Sequence, residues 1–267
     1  MAEEPNVEAA QPEKKKPREF VFNDPDSWPE CCTEAKNQSP IDIQTSEVKR
    51  ERFPPFRFKN YRKKFNALIA NNGQNLTMVC CDCNEDQILV SGGCFEDEQY
   101  ELYKIFFKWP AEHEINGQSY PLGVQLVHQS KKYPKMEDAL KNNAVVVLEI
   151  FADTKNHRHS NIFGTIARQI PQVMKEIKKP AMLNRKIRLA DFLPPDTDMY
   201  FTYTGSIPSP PCSEGVTWVV FQKPIHICGL QLKMFSCIRD KEGEPILENC
   251  RSLQKLNERV IISSEPC

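Results

Sequence analysis

The chain has 267 residues, of which 40% are apolar and 27% are charged, a composition close to that of soluble globular proteins. Its 35 lysines and arginines almost balance its 36 aspartates and glutamates, so the net charge is −1. Such a chain generates no strong electrostatic field, and we expect neither nucleic acid nor an anionic membrane as a partner. The longest strictly apolar stretch, residues 144–148, is far shorter than the roughly 20 residues of a membrane helix.

Residues 1–19 are charged and punctuated by prolines, which predicts a disordered tail. This tail has no apolar core of the kind found in secretory signals, so we expect a cytoplasmic protein. From residue 20 to residue 263 the apolar density is steady and contains no linker, which predicts one domain. Residues 264–267 are then a short second tail.

Strand patterns dominate the middle of the chain. Short runs rich in Val, Ile, Phe and Tyr, bounded by turn residues such as Asn72-Gly73 and Asn116-Gly117, predict strands. The clearest are residues 76–81, 101–109, 120–128, 144–151 and 216–221. Apolar residues at helical spacing predict a helix over residues 161–178 and a weaker one over residues 136–141. The pattern indicates a β-dominated domain with a few peripheral helices.

Several short motifs together resemble the α-class carbonic anhydrases, and they occur in the order and near the spacing of that family. They are Gln38-Ser39-Pro40-Ile41-Asp42-Ile43, Asn71-Asn72-Gly73, Gly92-Gly93, Trp109 with Glu112-His113, Tyr120-Pro121-Leu122, Leu126-Val127-His128, Tyr200-Phe201-Thr202-Tyr203-Thr204-Gly205-Ser206, Pro210-Pro211, Val216-Thr217-Trp218, and Asn249 to Asn257. The resemblance covers roughly residues 20–263. It implies a mainly β (α+β) fold: one ten-stranded, mostly antiparallel twisted sheet with peripheral helices and a conical cavity.

The resemblance also implies where a zinc site would lie. The family hydrates carbon dioxide with hydroxide bound to a zinc ion that three histidines hold. Aligned on Trp109 and His128, the three ligand positions carry Phe106, Lys108 and Gln125. Phe has no lone pair, a lysine ammonium repels a dication, and an amide oxygen is a poor zinc ligand. We therefore expect zinc to be absent and no other metal or cofactor to replace it.

The positions that support catalysis in the family have changed as well. The gatekeeper threonine, which orients the zinc hydroxide, corresponds to Pro208, so the matching Glu112 has lost its hydroxyl partner. The proton-shuttle histidine corresponds to Gln74, which does not titrate. The carboxylate that orients the third ligand corresponds to Gly123. Together these changes predict that no catalytic residues remain.

Part of the cavity is retained. The apolar pocket that receives carbon dioxide in the family matches Val127, Val147, Ile207 and Trp218, which are equally typical of an ordinary core.

Lys108 needs a partner if it is buried where the zinc would be, and either Glu112 or Glu149 could supply the carboxylate. Alternatively, Lys104 and Lys108 form a small-anion site.

Eleven cysteines are a high and odd number. Resemblance to the secreted branch of the family implies a disulfide between Cys32 and Cys212, with Cys31 as the alternative partner. Because the chain lacks a recognisable signal, we expect these thiols to be reduced.

The leading hypothesis is a catalytically inactive carbonic anhydrase-related protein that binds a protein partner, whose identity the sequence does not give. One alternative is a carbonate dehydratase with residual or altered activity. Another is a protein that binds a small anion or carbon dioxide.

Overall fold

The computed structural model describes residues 27–81, 86–155 and 159–265. Most of the regular structure in these ranges is β. The strands are β1 Asp42–Ile43, β2 Lys49–Arg52, β3 Phe56–Lys59, β4 Ala67–Asn71, β5 Leu76–Cys80, β6 Leu89–Gly92, β7 Tyr100–Lys108, β8 Glu114–Ile115, β9 Leu122–Ser130, β10 Val145–Asp153, β11 Ala181–Met182, β12 Tyr200–Ser206, β13 Glu214–Phe221, β14 Ile225–His226 and β15 Ile262–Glu265. The α-helices are α1 Glu30–Thr33, α2 Met136–Lys141, α3 Asn161–Val173 and α4 Gly229–Phe235.

One large mixed sheet organises the fold, and it confirms the predicted fold class. Its main path runs β11-β4-β5-β7-β9-β10-β13-β12-β15-β2, with β14 beside β10 and with β3 and β6 attached through β7. Most neighbours are antiparallel, but β10 pairs with β13 and β14, and β15 with β2, in parallel. The described part of the chain thus has thirteen strands in this sheet and two in a second one, β1-β8, where ten were predicted. Two-residue strands such as β11 and β14 account for part of the difference.

The five predicted strands correspond to β5, β7, β9, β10 and β13, each with ends shifted by at most two residues. The central strand β10 is buried along all nine residues, since β9 and β13 flank it and side chains cover both faces. That burial explains its nearly continuous apolar sequence, in contrast to the alternation of a strand with one face in water.

Two hydrophobic cores lie on the two faces of the sheet. On one face, Phe107 of β7 packs with Phe163 of α3 and Phe235 of α4. On the other face, Val127 and Trp218 belong to a second core. Alternation along β7 and β9 therefore sends neighbouring residues into different cores, and the second core holds the candidate site.

Helix α3 is shorter than predicted. It ends at Val173, whereas its apolar pattern continues to Ile177. The backbone of Ile177 instead pairs with Asn71 at the end of β4, and the Lys178 N–H donates to the Asn71 carbonyl at 2.7 Å. Because this segment forms hydrogen bonds with the sheet, it cannot continue the helical ladder.

The predicted tail at residues 1–19 lies outside the described residues. At the other end, β15 includes Ser264 and Glu265, so the fold extends two residues beyond the predicted boundary at residue 263. In the described ranges, every helix is too short or too polar to pass through a lipid bilayer.

Candidate functional site

Adjacent strands bring the three predicted ligand positions together. Phe106 and Lys108 are two residues apart on β7, so their side chains lie on the same face. On β9, Gln125 is directly opposite Phe106, and Gly123 is directly opposite Lys108. Phe106, Lys108 and Gln125 all line one cavity of about 170 Å³.

The centre of this site is a buried ion pair. Lys108 is only 3% exposed, and its Nζ atom lies 3.0 Å from Oε1 of Glu112. The same ammonium donates to the main-chain carbonyl of Asn249 at 3.0 Å. Of the two carboxylates that the sequence offered as partners for Lys108, the structure selects Glu112.

Both oxygens of Glu112 are engaged. Oε1 also accepts a hydrogen bond from the Arg251 N–H at 3.2 Å, and Oε2 accepts one from Nε2 of Gln125 at 2.7 Å. The gatekeeper carboxylate and the third ligand position are therefore hydrogen-bonded directly to each other. A buried hydrogen-bonded network is stable when each of its charges has partners. In this network both the Lys108 ammonium and the Glu112 carboxylate have partners.

These residues do not fit a zinc ion. The three positions offer an aromatic ring, an ammonium group and an amide, and the Gln125 amide already donates to Glu112. Within the described ranges, no group of three or more His, Cys, Asp or Glu side chains is placed to hold a metal ion. Pro208 lines the same cavity and supplies no hydroxyl near Glu112.

A second buried carboxyl group, Glu149, lies next to this network. It is directly opposite Gln125 on β10 and is completely buried. Neither of its oxygens has a hydrogen-bond partner among the residues that the structure describes. Burial, followed by the charge of Glu112, raises the pKa of Glu149 from 4.5 to about 8, so the group is mainly protonated at neutral pH.

Glu149 occupies the space beside Gly123. A Cβ atom at Gly123 would lie 2.4 Å from Oε1 of Glu149 and 3.1 Å from Cα of Ala111. A side chain at position 123 would therefore collide with this carboxyl group. The carboxyl that the resemblance places on β9 is absent, and one from β10 lies at that point of the site.

His113 lies on the far side of Glu149, with its Nδ1 atom 3.9 Å from Oε2 of that residue. Its Nε2 atom shares a 2.6 Å hydrogen bond with the Tyr203 hydroxyl, which in turn contacts the Ser39 hydroxyl at 2.7 Å. Burial, followed by the charge of Arg259, lowers the pKa of His113 to about 3, so the imidazole is neutral.

The four predicted pocket residues share the cavity with the ligand positions: Val127, Val147, Ile207 and Trp218 all line it. The cavity wall is otherwise mostly apolar. Its further lining residues are Asn75, Tyr103, Met136, Leu140 and Ser209.

Two other predicted residues are not part of the cavity lining. Gln74 is half-buried in the turn before β5, where its N–H donates to the Asn72 side chain at 3.0 Å. Lys104 extends over the Tyr103 ring, with Nζ 5.4 Å from the ring centroid. The structure thus does not bring Lys104 and Lys108 together, and Lys108 is already paired with a carboxylate.

Two residues that form part of the site were not recognised from the sequence. The Asn249 carbonyl comes from a distant loop, and any residue type could supply it, so only the match of Asn249 to the family pointed to this position. Tyr103 reaches the cavity because β7 is irregular between Leu102 and Lys104, which strand alternation does not reveal.

The pairing of Cys32 with Cys212 that the resemblance implied is confirmed, but the expected redox state of this pair needs correction. Cys32 and Cys212 form a disulfide, whereas we expected reduced thiols. Cys31 is the exposed neighbour and stays unpaired. The expectation was wrong because it used the expected compartment alone, while the fold places α1 against the loop after β12. The bond joins residues 180 positions apart.

Comparison with known proteins agrees with the fold described above. The family model for eukaryotic-type carbonic anhydrase matches residues 23–265. "Putative carbonic anhydrase 3" of Caenorhabditis elegans is 30% identical over 247 residues, covering 89% of this chain and 92% of that protein. Carbonic anhydrase 7 of Mus musculus is 30% identical over 255 residues, with coverage of 90% and 94%.

A third relative is the carbonic anhydrase-related protein of Rattus norvegicus, 28% identical over 248 residues, with coverage of 84% of this chain and 82% of that protein. The fold and the cavity define a scaffold of the α-carbonic anhydrase type. The chain belongs to the eukaryotic-type carbonic anhydrase family.

Proposed function

We propose that this chain is a catalytically inactive carbonic anhydrase-related protein that functions by binding another protein. The observation that carries the proposal is the Lys108–Glu112 ion pair at the centre of the site. A fixed ammonium group replaces one ligand, and its partner carboxylate is the residue that would have oriented the nucleophile. Metal-ion catalysis needs a bound dication, and a neighbouring ammonium opposes its binding.

Retention of the scaffold supports a binding role. The large sheet and both cores are intact, although the polar centre has changed. A relative of similar length carries the name carbonic anhydrase-related protein, and this chain is 28% identical to it. A protein that keeps this fold without the catalytic site still has a rigid surface, and such a surface can bind a partner protein.

The test is zinc content and carbon dioxide hydration, measured on full-length protein supplemented with zinc after removal of any affinity tag. We expect less than about 0.1 zinc per chain, because the nitrogen and sulfur donors of zinc sites are missing. We expect hydration no faster than in buffer. Close to one zinc per chain together with catalysis above buffer would establish the alternative, a carbonate dehydratase with residual or altered activity.

Binding of carbon dioxide or a small anion in the cavity is a second candidate function. It is favoured by the four apolar side chains that line the cavity together. Bicarbonate can be titrated into labelled protein while amide shifts are followed. If Lys108 supplies the contact, Lys108→Met removes the shifts and Lys104→Ala retains them. If no shift occurs in the wild-type protein, this candidate is excluded.

Cytoplasmic localisation remains a prediction from the sequence. The Cys32–Cys212 disulfide is more typical of oxidising compartments. Mass spectrometry of alkylated protein from its native source shows whether this pair of cysteines is reduced or oxidised. A reduced pair supports the cytoplasm, and an oxidised pair argues against it.

A further inference from the structure

Two basic segments that are distant in sequence lie side by side on the surface. The first contains Arg62, Lys63 and Lys64, just before β4. The second, residues 185–188, follows β11. Phe65 and Ile187 pair as an antiparallel bridge, with N–H to O distances of 2.8 and 2.9 Å in the two directions. The bridge joins the two segments into one patch, which consists of Arg62, Lys63, Lys64, Arg185, Lys186 and Arg188.

All six cations are exposed, because the two bridging residues between them point into the core. Two of the six are neutralised: Lys63 pairs with Asp86 at 2.5 Å, and Arg188 pairs with Asp191 at 2.9 Å. The other four have no ion-pair partner among the residues that the structure describes. Counted over the described residues, the six cations with Asp86 and Asp191 thus carry an excess of four positive charges, on a chain whose net charge is −1.

The bridge register places Lys64 opposite Arg188, but Asp191 already neutralises that guanidinium. The positive charge that a partner could neutralise is therefore that of Arg62, Lys64, Arg185 and Lys186.

We infer that this patch binds an acidic, extended segment of a partner protein. The inference rests on the proposed binding role and specifies the kind of partner. Met182 lies opposite Leu68 and Ile187 lies opposite Phe65, so the second segment advances only about 13 Å between Met182 and Arg188, which matches about four residues of a peptide in extended conformation. Met182 is 48% exposed at one end of this segment, where an apolar side chain of the peptide could pack.

A peptide fits better than nucleic acid or a membrane. The aromatic residues next to the patch, Tyr61 and Phe192, are buried and cannot stack on bases. The aspartates Asp86 and Asp191 interrupt the cations, which limits the number of phosphates that the patch could neutralise. The four cations that have no ion-pair partner among the described residues correspond to a short run of glutamates or aspartates.

The experiment measures binding of fluorescein-labelled octaglutamate to the full chain by anisotropy, at low and at physiological salt. We expect saturable binding that weakens as salt rises. The double substitution Lys64→Glu with Lys186→Glu should weaken binding at least tenfold. This variant should fold normally, because both side chains are exposed.

A matched control carries the same change of charge elsewhere. Lys36 and Lys135 are exposed and lie outside the patch, so Lys36→Glu with Lys135→Glu should change the affinity less than twofold. Equal losses in the two double variants would overturn the inference, as would absence of binding. Tighter binding of an oligothymidine or of phosphatidylserine vesicles would also overturn it, by assigning the patch to nucleic acid or membrane. The zinc and hydration assays are independent, so this inference can fail while the proposed inactivity holds.

Discussion

The ammonium of Lys108 and the carboxylate of Glu112 form a 3.0 Å ion pair between side chains that are 4% and 0% exposed. The two residues are four apart in the chain but not on a helix: β7 ends at Lys108, and the following turn returns Glu112 to the strand. Their pairing places an ammonium group of the chain itself at a position where the resemblance puts a zinc ligand.

The first prediction concerns this pair. Glu112→Gln removes the carboxylate of the Lys108–Glu112 ion pair, while Lys108 stays buried and keeps its hydrogen bond to the Asn249 carbonyl. Breaking a buried ion pair by removing one partner costs about 3–5 kcal/mol, and we expect the free energy of unfolding to fall by that amount. Urea denaturation followed by tryptophan fluorescence measures it.

Lys108→Met provides the comparison. It leaves Glu112 with its hydrogen bonds from Gln125 and Arg251, so its cost should be smaller than that of Glu112→Gln. In the double variant the two costs should not add, and the coupling should amount to about 1–3 kcal/mol. Additive costs would mean that the pair does not stabilise the fold as a unit.

The second prediction follows from Glu149, whose pKa is raised from 4.5 to about 8 in the fold. Between these values the folded chain retains a proton that the unfolded chain has released. The free energy of unfolding therefore falls as pH rises through this window, by at most about 1.4 kcal/mol per pH unit. Glu149→Gln, which cannot ionise, should not show this decline.

Urea denaturation at pH 5, 6.5 and 8 tests whether the free energy of unfolding falls as pH rises. The free energy of unfolding of Glu149→Gln, measured relative to that of the wild type, should rise by about 2–4 kcal/mol between pH 5 and pH 8. Glu98→Gln is a suitable control, because hydrogen bonds from Lys132 and Ser130 lower the pKa of the Glu98 carboxyl group. Its ionisation therefore changes the free energy of unfolding only at acidic pH. A stability difference that stays the same at all three pH values would show that Glu149 is ionised in the fold.

Much of the site could be predicted because the resemblance gives the ligand positions and strand alternation then places residues two apart on one face. The spacing of Phe106 and Lys108 placed both on one face, and the anchor at His128 placed Gln125 beside them. The pocket of Val127, Val147, Ile207 and Trp218 was predicted from the resemblance, and Ile207 lies just beyond the end of β12, where alternation does not apply.

The remaining features depend on long-range contacts that no local pattern encodes. The selection of Glu112 over Glu149 as the partner of Lys108 depends on a turn and on the Asn249 loop. The position of Glu149 beside Gly123 depends on the pairing register of β9 and β10. The basic patch arises from the Phe65–Ile187 bridge, and the end of α3 from the contact of Ile177 with β4.

The third prediction concerns the disulfide. Replacing Cys32 and Cys212 by serine removes a cross-link between positions 180 residues apart. Such a loss typically lowers the free energy of unfolding by about 2–5 kcal/mol. Denaturation of the wild type with and without a reductant should give a similar difference. Cys31→Ser, at the exposed neighbour, should leave stability unchanged; if it has the larger effect, Cys31 is the bonded residue.

The last prediction reverses the change at the centre of the site. Phe106, Lys108 and Gln125 lie on paired strands and line one cavity, so three histidines there would direct their imidazoles to one point. The triple substitution Phe106→His, Lys108→His and Gln125→His should raise the zinc content from less than about 0.1 to close to one per chain. Carbon dioxide hydration should remain slow, because Pro208 still supplies no hydroxyl beside Glu112.

The matched control retains Lys108 and introduces only the histidines at positions 106 and 125. It should bind little zinc, because two imidazoles beside an ammonium group give too few donors and an opposing charge. Metal analysis after dialysis distinguishes the two variants, and circular dichroism verifies that both are folded. A folded triple variant without zinc would mean that β7 and β9 do not present these positions to a common point. Equal zinc in both variants would mean that Lys108 does not exclude the metal, and the charge argument for inactivity would then fail.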